Sequence, residues 1–193
     1  NCAKCDAGAD KCTKCKASGT KPYFKKNDGD DPTGTCVTRE ECKTTHFPKD
    51  ISDSDKKCLP CGDATNGGID GCKTCTTSGS AVTCDTCAEG NKPNTAKTAC
   101  VPCNIEGCTS CDKESVCAVC DSSKKLSPLK DACLTDCPAG TYETGSSNKA
   151  CTPCHVSCSE CTDDAESSCT ACYPGHVLSK SDGSPAGTCI PEC

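Results

Sequence analysis

The spacing of cysteines decides what this chain can fold into. Eleven Cys-x-x-Cys units occur, beginning at Cys2, Cys12, Cys58, Cys72, Cys84, Cys100, Cys108, Cys117, Cys151, Cys158 and Cys169. They come in bursts, and each burst ends in a longer spacer that leads to another cysteine. In all, 28 of the 193 residues are cysteine, well beyond the roughly 8–10% at which a disulfide scaffold is the leading reading. Ile, Leu, Val and Phe together number only 18, and there is no Trp or Met. Such a chain buries too little apolar area to offset its conformational entropy without covalent staples. An even number of regularly spaced cysteines points to an oxidising compartment and the secretory pathway.

The bursts define about four units of roughly 40–60 residues, a repeat signature. The last reads Cys154-x3-Cys158-x2-Cys161-x7-Cys169-x2-Cys172-x16-Cys189-x3-Cys193. We place repeat boundaries at 1–60, 61–102, 103–153 and 154–193, with the first repeat cut at its start and the fourth at its end. Spacer sequence repeats as well. Lys26-Asn27-Asp28-Gly29 leads to Pro32-Thr33-Gly34-Thr35-Cys36, and Lys180-Ser181-Asp182-Gly183 leads to Pro185-Ala186-Gly187-Thr188-Cys189. Each carries an Asp-Gly turn signal, so each spacer is expected to form a small hairpin closed by its flanking cysteines. Helix-period apolar patterns are absent, and one short helix is considered near Thr38–Cys42. With contacts nearly all local, the units are expected to stack as a rod.

Other chemistries fare poorly. Net charge is −6, with a single Arg (Arg39) and lysines spread evenly, which is unlike the clustered basic and aromatic residues of nucleic-acid sites. No window of about 18 apolar residues exists, and no apolar leader precedes Asn1-Cys2. The expectation is an ectodomain or a piece of one, with any membrane anchor outside this chain. A Cys-x-x-Cys redox centre needs a thiolate at a helix start, and no helix is indicated there. Cys58/Cys61 with Cys72/Cys75, and Cys100/Cys103 with Cys108/Cys111, have zinc-ligand spacing. Zinc needs thiolates, and an oxidising compartment removes them, so structural zinc is disfavoured and no cofactor is expected. Asp28/Asp30/Asp31 and Asp50/Asp53/Asp55 do not complete a calcium loop. His46, His155 and His176 are assigned surface or packing roles. Tyr23-Phe24, Tyr142 and Tyr173 are expected to cover disulfides. No catalytic constellation is found.

Cys154-His155-Val156-Ser157-Cys158-Ser159-Glu160-Cys161, followed by Cys169-Thr170-Ala171-Cys172, resembles the furin-like repeats of growth-factor receptors and proprotein convertases. That resemblance implies a small disulfide-rich fold of elongated tandem modules, with short β-hairpins, little helix and a minimal hydrophobic core. Carried onto matching positions it implies Cys2–Cys12, Cys15–Cys36 and Cys42–Cys58 in the first repeat. The second would hold Cys61–Cys75, Cys72–Cys84 and Cys87–Cys100. The third would hold Cys103–Cys111, Cys108–Cys117, Cys120–Cys133 and Cys137–Cys151. The fourth would hold Cys154–Cys161, Cys158–Cys169 and Cys172–Cys189. Cys5 and Cys193 are left, each expected to find a partner outside the chain. Each bridge closes a loop of about 10–20 residues, worth on the order of 3 kcal/mol in the chain-entropy account.

The whole chain also resembles the variant-specific surface proteins of Giardia. The grounds are the Cys-x-x-Cys density, the Thr/Ser/Lys/Asp-rich spacers, and phrases such as Cys169-Thr170-Ala171-Cys172-Tyr173-Pro174-Gly175 and Cys72-Lys73-Thr74-Cys75-Thr76. The family's membrane span, short cytoplasmic tail and Gly-Gly-Cys-Tyr element are not in this sequence. The resemblance implies a cell-surface, extracellular coat antigen of an intestinal parasite, acting in antigenic variation and immune evasion. Host antibodies would be its partners, with neighbouring coat molecules as a second candidate contact. The alternative is a furin-like ligand-binding receptor or adhesion ectodomain, which would show a defined exposed apolar patch.

Overall fold

The structure, a computed structural model, describes residues 1–6, 8 and 11–192. Among the described residues it is strand and turn, with two single 3-10 turns at Ala64–Asn66 and Glu166–Ser168 and no α-helix. The chain falls into two compact units, Asn1–Pro102 and Cys103–Cys193.

The first unit opens with β1 (Cys2–Cys5), β2 (Cys12–Cys15), β3 (Tyr23–Lys26), β4 (Gly34–Val37), β5 (His46–Ser52) and β6 (Asp55–Pro60). These make one sheet in the order β1-β2-β4-β3-β6-β5. Two hairpins follow, β7 (Cys72–Ser78) with β8 (Ala81–Cys87) and β9 (Asn91–Pro93) with β10 (Cys100–Pro102). The second unit starts with the hairpin of β11 (Cys108–Lys113) and β12 (Val116–Cys120). Next come β13 (Lys125–Leu126), β14 (Cys133–Leu134), β15 (Thr141–Thr144) and β16 (Ala150–Pro153), a sheet in the order β14-β13-β16-β15. It ends with the hairpins β17 (Cys158–Cys161)/β18 (Cys169–Cys172) and β19 (His176–Ser179)/β20 (Thr188–Pro191).

Two kinds of hairpin therefore alternate. In the first kind, two Cys-x-x-Cys segments pair antiparallel: Cys72 lies opposite Cys87 and Cys75 opposite Cys84, with the same arrangement in β1/β2, β11/β12 and β17/β18. In a regular strand, residues i and i+3 face opposite sides. Here the register shifts between the two cysteines of β7 and again of β11. A bulge of this kind re-aims side chains, and both cysteines of each strand turn inward: Cys72 and Cys75, and Cys108 and Cys111, are all buried. The hairpin is entered through Gly71 or Gly107, both at positive φ, where glycine avoids the steric cost other residues meet. The carbonyl of each glycine accepts from the first amide beyond the hairpin, at Ala88 or Asp121.

The second kind is the spacer hairpin: β3/β4, β9/β10, β13/β14 and β19/β20. The Asp-Gly turns read from the sequence hold the left-handed residues Gly29 and Gly183. The shorter spacers instead place Lys97 and Lys130 at positive φ. Those two carbonyls accept from the amides of Cys84 and Cys117 and so tie the spacer to the preceding hairpin. Two spacer hairpins gain a third strand that runs parallel: β6 beside β3 and β16 beside β13.

The segment Thr38–Cys42 forms a turn, not a helix. The Cys42 amide donates to Thr38 O, while Glu41 and Thr38 exchange side-chain-to-backbone bonds of 2.8 and 3.1 Å. This is a capping-box exchange with no helix after it, because the chain runs on within a few residues into β5, which begins at His46.

Sulfur fills most of the interior. One cluster joins Phe47 to Cys61, Cys72, Cys75 and Cys84. A second packs Tyr23 on Cys42 and Cys58, and a third gathers Cys158, Cys169 and Cys189.

Candidate functional site: the disulfide ladder

Three roles repeat along the chain, and each follows from a cysteine's place in its hairpin. The first cysteine of one Cys-x-x-Cys bonds the first cysteine of the next across the hairpin: Cys2–Cys12, Cys72–Cys84, Cys108–Cys117 and Cys158–Cys169. The second cysteine of the first segment reaches back up the chain: Cys61–Cys75, Cys103–Cys111 and Cys154–Cys161. The second cysteine of the second segment reaches forward to the spacer: Cys15–Cys36, Cys87–Cys100, Cys120–Cys133 and Cys172–Cys189. Cys42–Cys58 and Cys137–Cys151 close the loops that carry the third strands. The Cα–Cα distances of the thirteen bridges run from 5.1 to 6.3 Å, within the span a disulfide needs. Cys5 is exposed, with its sulfur 3.3 Å from that of Cys2. Cys193 lies outside the described residues.

This arrangement bears on the metal spacings read from the sequence. The sulfurs of Cys103, Cys108 and Cys111 lie within 4.8 Å of one another, as do those of Cys12, Cys15 and Cys36. All six belong to bridges. They are close because disulfides stack in the hairpins, and a zinc ligand would have to be a thiolate. One or more members of each acidic cluster serve a turn or an ion pair. Asp31 accepts from the Thr33 amide and hydroxyl at 2.8 and 2.7 Å, which holds its carboxyl below the usual range. Asp50 lies 3.7 Å from Arg39, and Asp55 3.7 Å from Lys57.

The histidines are scattered. His155 Nδ1 lies 2.8 Å from Ser157 Oγ, and His176 is exposed. His46 is half-buried at the edge of a cavity of about 450 Å³ whose floor is Phe24, Cys58, Leu59 and Pro60. Burial, then the nearby Lys25, pushes its pKa down.

Of the aromatics, Tyr23 packs on the Cys42–Cys58 bridge. Arg39 reaches its hydroxyl at 2.8 Å, the Gly79 carbonyl at 3.3 Å, and lies over its ring. Burial is the largest cause raising the Tyr23 pKa. Tyr173 remains 42% exposed. The aromatic that does most is Phe47, 2% exposed among four cysteines. Sequence reasoning assigned it no role, since a lone aromatic in Thr-His-Phe-Pro carries no periodic signal.

The ladder, the paired hairpin types and the near absence of helix define a small disulfide-rich protein of furin-like cysteine-rich modules. No family model matches the chain. It is 34% identical to major surface-labeled trophozoite antigen 417 of Giardia intestinalis, across 95% of this chain and 31% of that protein. It is 36% identical to surface antigen CRP170 of the same organism, across 84% of this chain and 37% of that protein. Variant-specific surface protein VSP4A1, also of Giardia intestinalis, matches at 29% over 80% of the chain and 22% of its own length. The chain is a homologue of these Giardia surface antigens, and it spans about a third of the length of the first two. A more distant match, furin-like protease 2 of Drosophila melanogaster, is 26% identical over 83% of the chain but only 9% of that protein. No helix among the described residues is long and apolar enough to cross a membrane.

Proposed function

We propose that this chain is a cysteine-rich segment of a parasite cell-surface coat antigen that acts without catalysis, as a protease-resistant shield open to antigenic variation. The observation that carries this reading is the similarity, along most of the chain, to surface antigens of Giardia intestinalis. The ladder supports it physically. Among the described residues, 26 cysteines are committed to bridges, which withdraws those thiols from redox and metal chemistry. Proteases cut chain that opens locally, and every hairpin here is crosslinked to what precedes or follows it. Between the bridges, spacer tips such as Asp28–Asp31 and Ser181–Ser184 are exposed and, apart from the left-handed Gly29 and Gly183, free to vary without disturbing the sulfur. Host antibodies are the partners this implies, and the extracellular face of the plasma membrane is the location.

Limited trypsin digestion before and after reduction tests the shield. The 20 lysines should be cut slowly in the oxidised protein and quickly in the reduced one; rapid cleavage of both would refute it. Surface labelling of intact cells with an antibody to this segment tests the location. The receptor alternative draws on the exposed apolar pair Val177 and Ile190; saturable binding of a defined ligand would favour it.

A further inference from the structure

The four spacer hairpins differ in what lies on their outer edge. In each, one residue stands opposite the spacer cysteine: Phe24 opposite Cys36, Pro93 opposite Cys100, Leu126 opposite Cys133 and Leu178 opposite Cys189. Amides one or three residues further on point inward, toward the partner strand: Asn27 donates to Thr33, Asn94 to Ala99 and Ser127 to Ala132, while in the fourth hairpin Gly187 turns its own amide and carbonyl outward to Cys169. Alternation along an antiparallel ladder then leaves the residue opposite the cysteine with its amide on the outer edge.

At two hairpins that edge is occupied. Phe24 pairs in parallel with Lys57, the residue before Cys58. Leu126 pairs in parallel with Ala150, the residue before Cys151, and its amide donates to the Lys149 carbonyl at 2.9 Å. Both incoming strands belong to loops closed by a bridge, Cys42–Cys58 and Cys137–Cys151. Those loops begin shortly after the spacer cysteine, at Cys36-x5-Cys42 and Cys133-x3-Cys137. At the third hairpin no such loop exists, since Cys100-x2-Cys103 leads straight into the next burst. There the edge residue is Pro93, which has no amide to donate, as befits a strand edge left unpaired.

The fourth hairpin has the features of the occupied pair and lacks the strand. Its edge residue is Leu178, with an amide, and β19 has β20 as its only ladder partner among the described residues. On the far side of this hairpin, Gly187, just before β20, pairs antiparallel with Cys169. The sequence runs Cys189-x3-Cys193, the spacing of Cys133-x3-Cys137. The neighbouring cross-strand pair, Val177 and Ile190, is 43% and 44% exposed, whereas Tyr23, at the place of Val177 in the first hairpin, is 4% exposed. An open edge beside exposed aliphatic side chains is a ready template for strand addition.

We propose that the outer edge of β19 seats a parallel third strand from a further cysteine-closed hairpin of the same polypeptide, in the register that places Leu178 opposite the residue preceding that hairpin's closing cysteine. This inference stands on the three spacer hairpins compared above and does not depend on the antigen reading.

The test extends the chain after Cys193 with a copy of Pro138–Pro153, the sequence that forms the β15/β16 hairpin. Amide exchange is measured at Leu178 in the 193-residue and extended proteins, alongside a disulfide map. The proposal expects a bridge from Cys193 to the appended cysteine and exchange at Leu178 slowed by about tenfold or more. Leu178→Pro, patterned on Pro93, removes the outward amide while sparing the β19/β20 bonds. It should abolish the slowing of neighbouring amides in the extended protein and leave the unextended one unchanged. Unslowed exchange at Leu178, bridging of the appended cysteine elsewhere, or equal damage by Leu178→Pro to both proteins would overturn the proposal. So would a dimer of the 193-residue chain in which the Leu178 amide is already protected.

Discussion

At the residue scale, a few side chains decide what the sulfur cannot. Phe47 is the largest fully buried side chain, set among Cys61, Cys72, Cys75 and Cys84. Truncating a buried Phe to Ala typically costs ~3–5 kcal/mol. Phe47→Ala should therefore lose that order of stability in non-reducing denaturant titration, and a loss near zero would mean that the bridges alone hold this unit. Lys130 sits at positive φ with its carbonyl, not its side chain, in use. Left-handed backbone costs a non-glycine residue roughly 1 kcal/mol, so Lys130→Gly should leave stability unchanged or raise it by up to about 1 kcal/mol, read by the same titration. Glu143 lies between Lys149 at 2.8 Å and Lys125 at 3.0 Å, and hydrogen bonds to Lys149 and then Lys125 hold its carboxyl below the usual range. A carboxyl depressed by folding adds stability that is fully present above its unfolded pKa and is lost as pH falls through the folded value. The tie between β15 and β13 should therefore weaken below about pH 4. An NMR carboxyl titration of Glu143 checks this, and a midpoint at or above the ordinary glutamate value would contradict it.

At the element scale, the spacer hairpins were legible because Asp28-Gly29 and Asp182-Gly183 announce a turn before a cysteine. The crowded Cys-x-x-Cys hairpins were less so. Their inward-facing cysteines depend on a bulge, and a spacing of i and i+3 does not by itself reveal one. The pairing of cysteines came from family resemblance, since spacing alone leaves many connectivities open. The parallel strands β6 and β16 had no sequence signal, because each joins residues separated by a disulfide loop rather than a turn. Nor was Phe47 legible, for its burial depends on the Cys61–Cys75 and Cys72–Cys84 bridges arriving around it. The bridges differ in reach: Cys15–Cys36 spans 21 residues and Cys154–Cys161 spans 7. Loop entropy makes the longer one worth about 1 kcal/mol more. Replacing each pair by serine in turn should show that order in denaturant midpoints; the reverse order would indicate that native packing around the bridges outweighs loop entropy.

At the scale of the whole molecule, the account rests on one idea: each Cys-x-x-Cys hairpin is pinned across and forward by sulfur, and three of the four are also pinned back, so the fold needs almost no apolar core. Composition alone pointed there, with 18 large aliphatic or Phe residues against 28 cysteines. Mapping the disulfides of unreduced protein, after cleavage by an acid protease and mass spectrometry of the linked peptides, tests it most directly. The account predicts crossed pairs such as Cys61–Cys75 with Cys72–Cys84, and Cys103–Cys111 with Cys108–Cys117. Bonds within single Cys-x-x-Cys units, or a large population of free thiols in native material, would contradict it.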